Sequence, residues 1–248
     1  MRYLIEGRLQ KTLHVWFGSS RVTDAKNVDI IRYHAVDRAF KWSDATNKQK
    51  SLITHLDDSE EGIFANFANN TRNEIRRATR DGVITRMYCS KELATSQGVL
   101  DDFACMYNEM YREKNMPTRI AVTELLPIIR CGGLIITSAE YEGSVLVYHV
   151  YISEKGNARL LYSCSNFRVS DESIKKLIGR ANRLLHWDDM RFLKKRGVSV
   201  YDWGGVASFE EPNGIDKFKF SFNGDRVEYY NLAEYVSIKA KLLRQLGK

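Results

Sequence analysis

The order of hydrophobic periods in this chain predicts an α+β fold, a mixed sheet flanked by helices. Three observations carry the prediction. Residues 134–165 alternate apolar and polar through three strands joined by two short turns, the pattern of an antiparallel meander. A long helical period over 171–196 then runs into an apolar strand at 198–203, as in a crossover back into the same sheet. No Pro/Ser/Gly-rich linker, repeat or low-complexity tract interrupts the 248 residues, so 1–248 reads as one domain.

The elements follow in order. Residues 1–28 are mixed and give no clear element; with the next strands they form an N-terminal partial half, 1–57. Strands fit 30–36 and 51–56. Asp58, with Glu61 three residues on, starts a helix as its N-cap. Phe64, Phe67, Ala68, Thr71, Ile75 and Ala78 then recur at helical spacing as far as Gly82, which ends the helix. A strand over 83–88 precedes a helix over 99–114, with Val99, Phe103, Met106, Tyr107 and Met110 on one face. A short helix over 123–130 tolerates Pro127 in its first turn.

The meander strands are 134–141, 144–153 and 158–165. Asp171 and Glu172 open the long helix, and Lys194, Lys195 and Arg196 suit its C-terminal end. After the strand at 198–203, residues 214–224 read as an extended aromatic/lysine segment and 226–230 as a strand. Residues 231–248 read as a C-terminal helical segment, with the helix itself over 232–246.

Composition narrows the function. The net charge of +7 suits a polyanionic partner, such as a nucleic acid or a phosphate-bearing donor or substrate, and equally suits a solubility charge with no partner. No apolar run is long enough to span a membrane and the N-terminus lacks a signal-type apolar core, so a cytoplasmic location is expected. Cys89, Cys105, Cys131 and Cys164 lie far apart and read as buried small hydrophobes. The five histidines show no HxxxH or HExxH spacing, so no metal site is expected.

The densest chemistry lies in Tyr201-Asp202-Trp203-Gly204-Gly205 and in the segment from Gly214 to Gly224, which contains Phe218 and Lys219. Three segments together resemble the Fem-type branch of the GNAT acyltransferase superfamily. Thr71-Arg72-Asn73-Glu74-Ile75-Arg76-Arg77-Ala78 is similar to the family's basic R-x-x-I-R-K-A helix. Ala181-Asn182-Arg183-Leu184-Leu185-His186-Trp187 leads through Lys194-Lys195-Arg196-Gly197 into Asp202 and the double glycine. Gly214-Ile215…Phe218-Lys219…Phe222-Asn223-Gly224 is similar to G-I-x-x-F-K-x-x-F-G-G.

The likeness covers roughly residues 50–230, with 58–230 the best match. It implies a GNAT-like acyltransferase fold. The chain departs from the family at Asn223, which replaces a glycine, and at 166–170, which holds no glycine where GNAT enzymes often carry a pyrophosphate loop. The bridge-forming members carry two GNAT-like halves, and this length holds one plus part of another.

Each candidate residue has a functional and a structural reading. Lys219 can hold a developing oxyanion or a donor phosphate, or be a surface lysine in a strand. If the segment is extended, Phe218 falls on the face opposite Lys219 and can be plain core. Asp202 can take the proton of an attacking amine, or accept hydrogen bonds from the glycine turn at Gly204 and Gly205. His149 shares a strand face with Val145, Val147 and Tyr151, as a general base or a satisfied core histidine. Tyr148 and Tyr162 are candidate proton donors or half-buried strand residues. Arg72 and Arg76, in one stripe with Arg80, form a phosphate clamp or a solvated face. Asn182 can bond the sheet or the substrate, or make an i−4 contact to the backbone of its own helix.

The first functional expectation is an N-acyltransferase. It moves an acyl group from a thioester donor, acyl-CoA, to an amine on an amino sugar or other cell-envelope precursor, by direct attack in a ternary complex. The alternatives are aminoacyl transfer from a charged tRNA and a non-catalytic basic module on the same scaffold.

Overall fold

The computed structural model describes residues 1–18 and 20–246. The chain opens with β1 (Arg2–Glu6), β2 (Lys11–Trp16), β3 (Ile30–Val36) and β4 (Ala45–His55). Helices α1 (Glu60–Asn66) and α2 (Asn69–Arg80) lead to β5 (Ile84–Cys89). Then come α3 (Ser90–Leu93), α4 (Gln97–Glu113) and α5 (Leu126–Arg130), followed by the meander β6 (Leu134–Tyr141), β7 (Ser144–Glu154) and β8 (Asn157–Ser165). The long helix α6 (Glu172–Lys195) crosses to β9 (Val200–Val206). The chain continues through α7 (Gly214–Phe220), β10 (Asp225–Tyr235) and α8 (Ile238–Gln245).

The ten strands among the described residues form one sheet in the order β1-β2-β3-β10-β4-β9-β8-β7-β6-β5. It is mixed, as the sequence predicts: β2 with β3 and β8 with β9 run parallel, and the other neighbours antiparallel. Helices α1, α2 and α6 cover one face, where Ile63, Phe67, Ile75, Leu185 and Leu193 pack on Val147, Tyr151, Tyr201 and Trp203. Helices α3, α4 and α5 cover the other, where Leu93, Phe103, Met106 and Ile128 pack on Ile136, Tyr148, Val150 and Cys164. A smaller cluster of Val15, Val22, Ile31, Tyr33 and Leu232 closes the N-terminal end. No helix among the described residues is long and apolar enough to cross a membrane.

Several expectations are corrected. The helix begun at Asp58 is two helices. Ser59 caps the first, its hydroxyl accepting from the Gly62 N–H at 3.0 Å, and Phe67 and Ala68 are extended. The break is held from outside, because the Ala68 N–H donates to the Ser221 carbonyl. The segment at 214–224 is not extended. Residues 214–220 wind into α7, capped by Asn213, whose side chain accepts from the Ile215 and Asp216 N–H groups. The alternation that put Lys219 and Phe218 on opposite faces therefore does not apply.

Residues 232–235 belong to β10, and only Ile238–Gln245 is helical in the C-terminal segment. The last two residues of that segment, 247–248, lie outside the described ones. The unreadable start is two strands, and β4 begins at Ala45 despite its polar run Asn47-Lys48-Gln49-Lys50, because β10 pairs with it from Ala45 on and β9 joins on the other side at Lys50. A register shift beside Glu140 turns Val145 away from His149, onto the α4 side. Of the cysteines, Cys164 is buried and Cys89 half-buried, but Cys105 and Cys131 are exposed.

Candidate active site

The parallel ladder between β8 and β9 holds three register pairs and ends at Arg159↔Asp202. There the two side chains form an ion pair, both nearly fully buried. The remaining Asp202 contacts are the Ser51 hydroxyl at 2.5 Å and the Gly204 N–H at 2.9 Å. The second arm of Arg159 donates to Gln49 Oε1 at 3.0 Å, which also accepts from Asn231 at 3.1 Å. Four elements, β4, β8, β9 and β10, are thus tied at one point. A carboxylate engaged in this way holds structure; taking a proton there would break a buried ion pair. Asp202 is read as a positioning group rather than a general base.

Immediately beyond, β9 bulges. Ser51 faces Gly205 and Ile53 faces Asp202, so two residues of β9 stand against one of β4. Gly204 lies at φ +73°, and a Cβ there would stand 2.6 Å from the Leu160 carbonyl oxygen. Only glycine fits both constraints. The bulge aims the Gly205 carbonyl at Lys219, whose ammonium donates to it at 2.7 Å. Burial lowers the Lys219 pKa to about 8, with Asp202 pulling it up and Arg159 pushing it down.

α7 presents Lys219 because its first turn is locked. Asp216, 1 % exposed, accepts from the Ala207, Ser208 and Asn213 N–H groups. Phe218, beside Lys219, packs on the His186 ring at 5.6 Å, with the Arg183 guanidinium 4.9 Å from its own ring centre. Arg183 is pulled below its ordinary pKa by burial, and its Nε finds no hydrogen-bond partner.

On the same side of the sheet a polar chain runs through the core. His149 Nδ1 is 2.7 Å from Asp189 Oδ2 and its Nε2 is 2.8 Å from Asn182 Oδ1. The Tyr151 hydroxyl donates to Asp189 at 2.5 Å and meets the Tyr201 hydroxyl at 2.7 Å, which lies 2.6 Å from His186 Nδ1. Both nitrogens of His149 are engaged, so it pins α6 to β7 and offers no free lone pair to a substrate. Burial drives His186 well below the ordinary histidine pKa, leaving it neutral.

His149, His186 and Asp189 offer ligand atoms within 4.8 Å of one another, a convergence that linear spacing did not predict. The 2.7 Å between His149 Nδ1 and Asp189 Oδ2 is a hydrogen bond, shorter than the roughly 3.3 Å between two ligands of one tetrahedral zinc.

The other predicted residues scatter. Tyr148 and Tyr162 point to the opposite face, against Phe103 and Tyr107, and burial raises both phenols. Tyr148 is buried and Tyr162 half-buried there, on the wrong side of the sheet for proton transfer beside Lys219. Arg72 donates to the Ala65 carbonyl at 2.7 Å, and Arg76 lies 5.2 Å from the Phe64 ring centre. Arg76 lines a cleft of about 450 Å³ together with Trp187, Arg191, Glu60, Glu61 and Asp188. Those three carboxylates oppose a simple phosphate clamp. α2 nevertheless reaches α7's end through Thr71, whose hydroxyl is 2.9 Å from Ser221 Oγ.

Sequence reading missed Arg159, Ser51, His186 and Asp189. The available signals were an arginine set between Ala158 and Leu160 in β8 and an aspartate on the buried face of α6.

No family description and no curated protein matches the sequence. Solved structures do match. The chain is similar to FemX at 13% identity and TM-score 0.66, over 99% of this chain and 85% of that one. It is similar to the C-terminal domain (DUF2156) of a putative lysylphosphatidylglycerol synthetase from Agrobacterium fabrum at 11% identity and TM-score 0.56, over 99% and 84%. It is also similar to L-PGS from Bacillus licheniformis at 11% identity and TM-score 0.54, over 100% and 86%. At these identities the likeness is one of fold. The chain shares the fold of FemX and of these two proteins, the fold that its resemblance to the Fem-type branch implies.

Proposed function

We propose that this chain is a transferase that passes an acyl or aminoacyl group from an activated carbonyl donor to an amine. The observation that carries the reading is Lys219. It is a lysine with its pKa lowered to about 8, held on the Gly205 carbonyl where β8 and β9 cease to pair. A half-buried cation beside the end of a parallel ladder can bind the oxygen that becomes negative when an amine attacks a carbonyl. The amine nitrogen bonds to the carbonyl carbon, charge builds on the oxygen beside Lys219, and the carbon–sulfur or carbon–oxygen bond to the leaving group breaks. Asp202 and His149 are both engaged in the core. The amine's proton therefore passes to the departing group or to water.

The sequence favours acyl-CoA as donor and an amine on an amino sugar or other cell-envelope precursor as acceptor. A specific observation favours the second donor, a charged tRNA. The turn before α6 contains a short 3-10 helix, Phe167–Val169, and no glycine for a pyrophosphate.

Native mass spectrometry of the chain against acyl-CoAs and charged tRNA tests the donor. Binding of acyl-CoA alone supports the thioester reading, and binding of charged tRNA alone the ester reading. Binding of neither, with no transfer from either, would leave a non-catalytic module and overturn the proposal.

A further inference from the structure

Helix α8 and its C-cap residue, Leu246, carry three aliphatic side chains turned to solvent. Ile238 is 79% exposed, Leu242 55% and Leu246 71%. At 3.6 residues per turn these positions, four apart, form a stripe about 80° wide. The opposite side of the helix holds it to the body through buried Ala240 and half-buried Leu243. The stripe is therefore the face left over after α8 has packed. Val236, 42% exposed just before the helix, extends the apolar surface.

The charges that the helix itself carries beside the stripe are of one sign, and one carboxylate, Asp29, stands at its N-terminus near Lys239, accepting from the Ser237 hydroxyl at 2.6 Å. Lys239 stands about 20° beyond one margin and Lys241 about 60° beyond the other. The helix Ile238–Gln245 contains no acidic residue. Arg244, further round, is turned back to the body, where it donates to the Asp44 carbonyl at 2.6 Å.

A second copy of the chain would fit this face poorly. Pairing α8 with itself would bring lysines against lysines with no carboxylate on the helix to meet them. A nucleic acid would engage the lysines and leave the aliphatic stripe in water. An anionic lipid surface meets both features: acyl chains take the stripe, and headgroup phosphates take the flanking ammonium groups.

We propose that α8 seats this chain on an anionic membrane surface, with Ile238, Leu242 and Leu246 entering the interface and Lys239 and Lys241 at headgroup level. This inference does not depend on the transferase reading.

The test is co-sedimentation of the full chain with vesicles of phosphatidylglycerol and phosphatidylcholine, against vesicles of phosphatidylcholine alone. The chain is expected to bind the anionic vesicles and to release as salt rises. Ile238→Ser with Leu242→Ser keeps every charge and is expected to weaken binding roughly tenfold or more. Lys239→Gln with Lys241→Gln is expected to weaken it roughly tenfold and to flatten the salt response. Leu246→Ser, at a separate exposed position, gives a milder loss in the same direction, and unchanged melting temperatures show that the variants are folded.

Three results would overturn the proposal. One is no binding to anionic vesicles. Another is equal binding by the double-serine variant, which would mean attraction by net charge alone. The third is a concentration-dependent dimer, seen by light scattering, that the double-serine variant abolishes, which would mean that a second copy covers the face.

Discussion

Lys219 concentrates the chemistry and carries a stability cost with it. Its folded pKa of about 8 lies below the ordinary 10.5. Between those values the unfolded chain binds the extra proton, so stability rises with pH from about 8 to 10.5, and the full cost is present below 8. Lys219→Met removes the cost. Discounted for the half-buried position, it should stabilise the chain at pH 7 by about 1–2 kcal/mol in urea unfolding and abolish the gain above pH 8. A less stable Lys219→Met variant would show that the cation is well paired. Asp202 should behave in the opposite way. Asp202→Asn leaves Arg159 buried without its charge partner and should cost about 3–5 kcal/mol, read as a lower urea midpoint. A variant of wild-type stability that is merely inactive would return Asp202 to the role of base.

At the scale of elements, the turn around β9 and α7 decides whether Lys219 is in place. Gly204→Ala forces a Cβ to within 2.6 Å of a backbone oxygen at a left-handed φ of +73°, and backbone cannot yield as a side chain can. We expect a loss of about 2 kcal/mol or more together with lost activity, because the bulge that aims the Gly205 carbonyl moves. Asp216→Ala takes the acceptor from the Ala207, Ser208 and Asn213 N–H groups and should cost about 1–2 kcal/mol, in thermal or urea unfolding.

This is also the scale at which sequence reading succeeded and failed. The meander and the α6 crossover were legible because period, turns and the Asp171 cap all agreed. Residues 214–220 were not: Phe218, Phe220 and Phe222 alternate with lysine and serine, a strand-like period. What makes a helix there is the Asn213 cap and the anchoring of Asp216 to Ala207 and Ser208, a tertiary contact. The break at Phe67–Ala68 was invisible for the same reason, since its partner is Ser221. Of the site, Lys219 and the double glycine stood out locally. Arg159 and Ser51 reach Asp202 only through sheet register, which no local pattern carries.

Across the whole molecule, strands from both ends of the chain meet at one place. β4, β8, β9 and β10 come from four regions of sequence, and the Arg159–Asp202 pair fastens them beside the lysine. The net charge of +7 fits a phosphate-rich donor, and it predicts that transfer from a charged tRNA falls steeply with salt whereas transfer from acyl-CoA falls little. The central claim is that Lys219 stabilises the oxyanion of acyl transfer to an amine. It is tested most directly by measuring transfer against pH for the wild-type chain, Lys219→Ala and Lys219→Arg, with the donor that binds. Lys219→Ala is expected to have a roughly 10²–10³-fold lower kcat with little change in KM. The wild-type kcat/KM is expected to decline above about pH 8, with no such decline in Lys219→Arg, whose cation does not titrate there. Wild-type turnover by Lys219→Ala would contradict that claim.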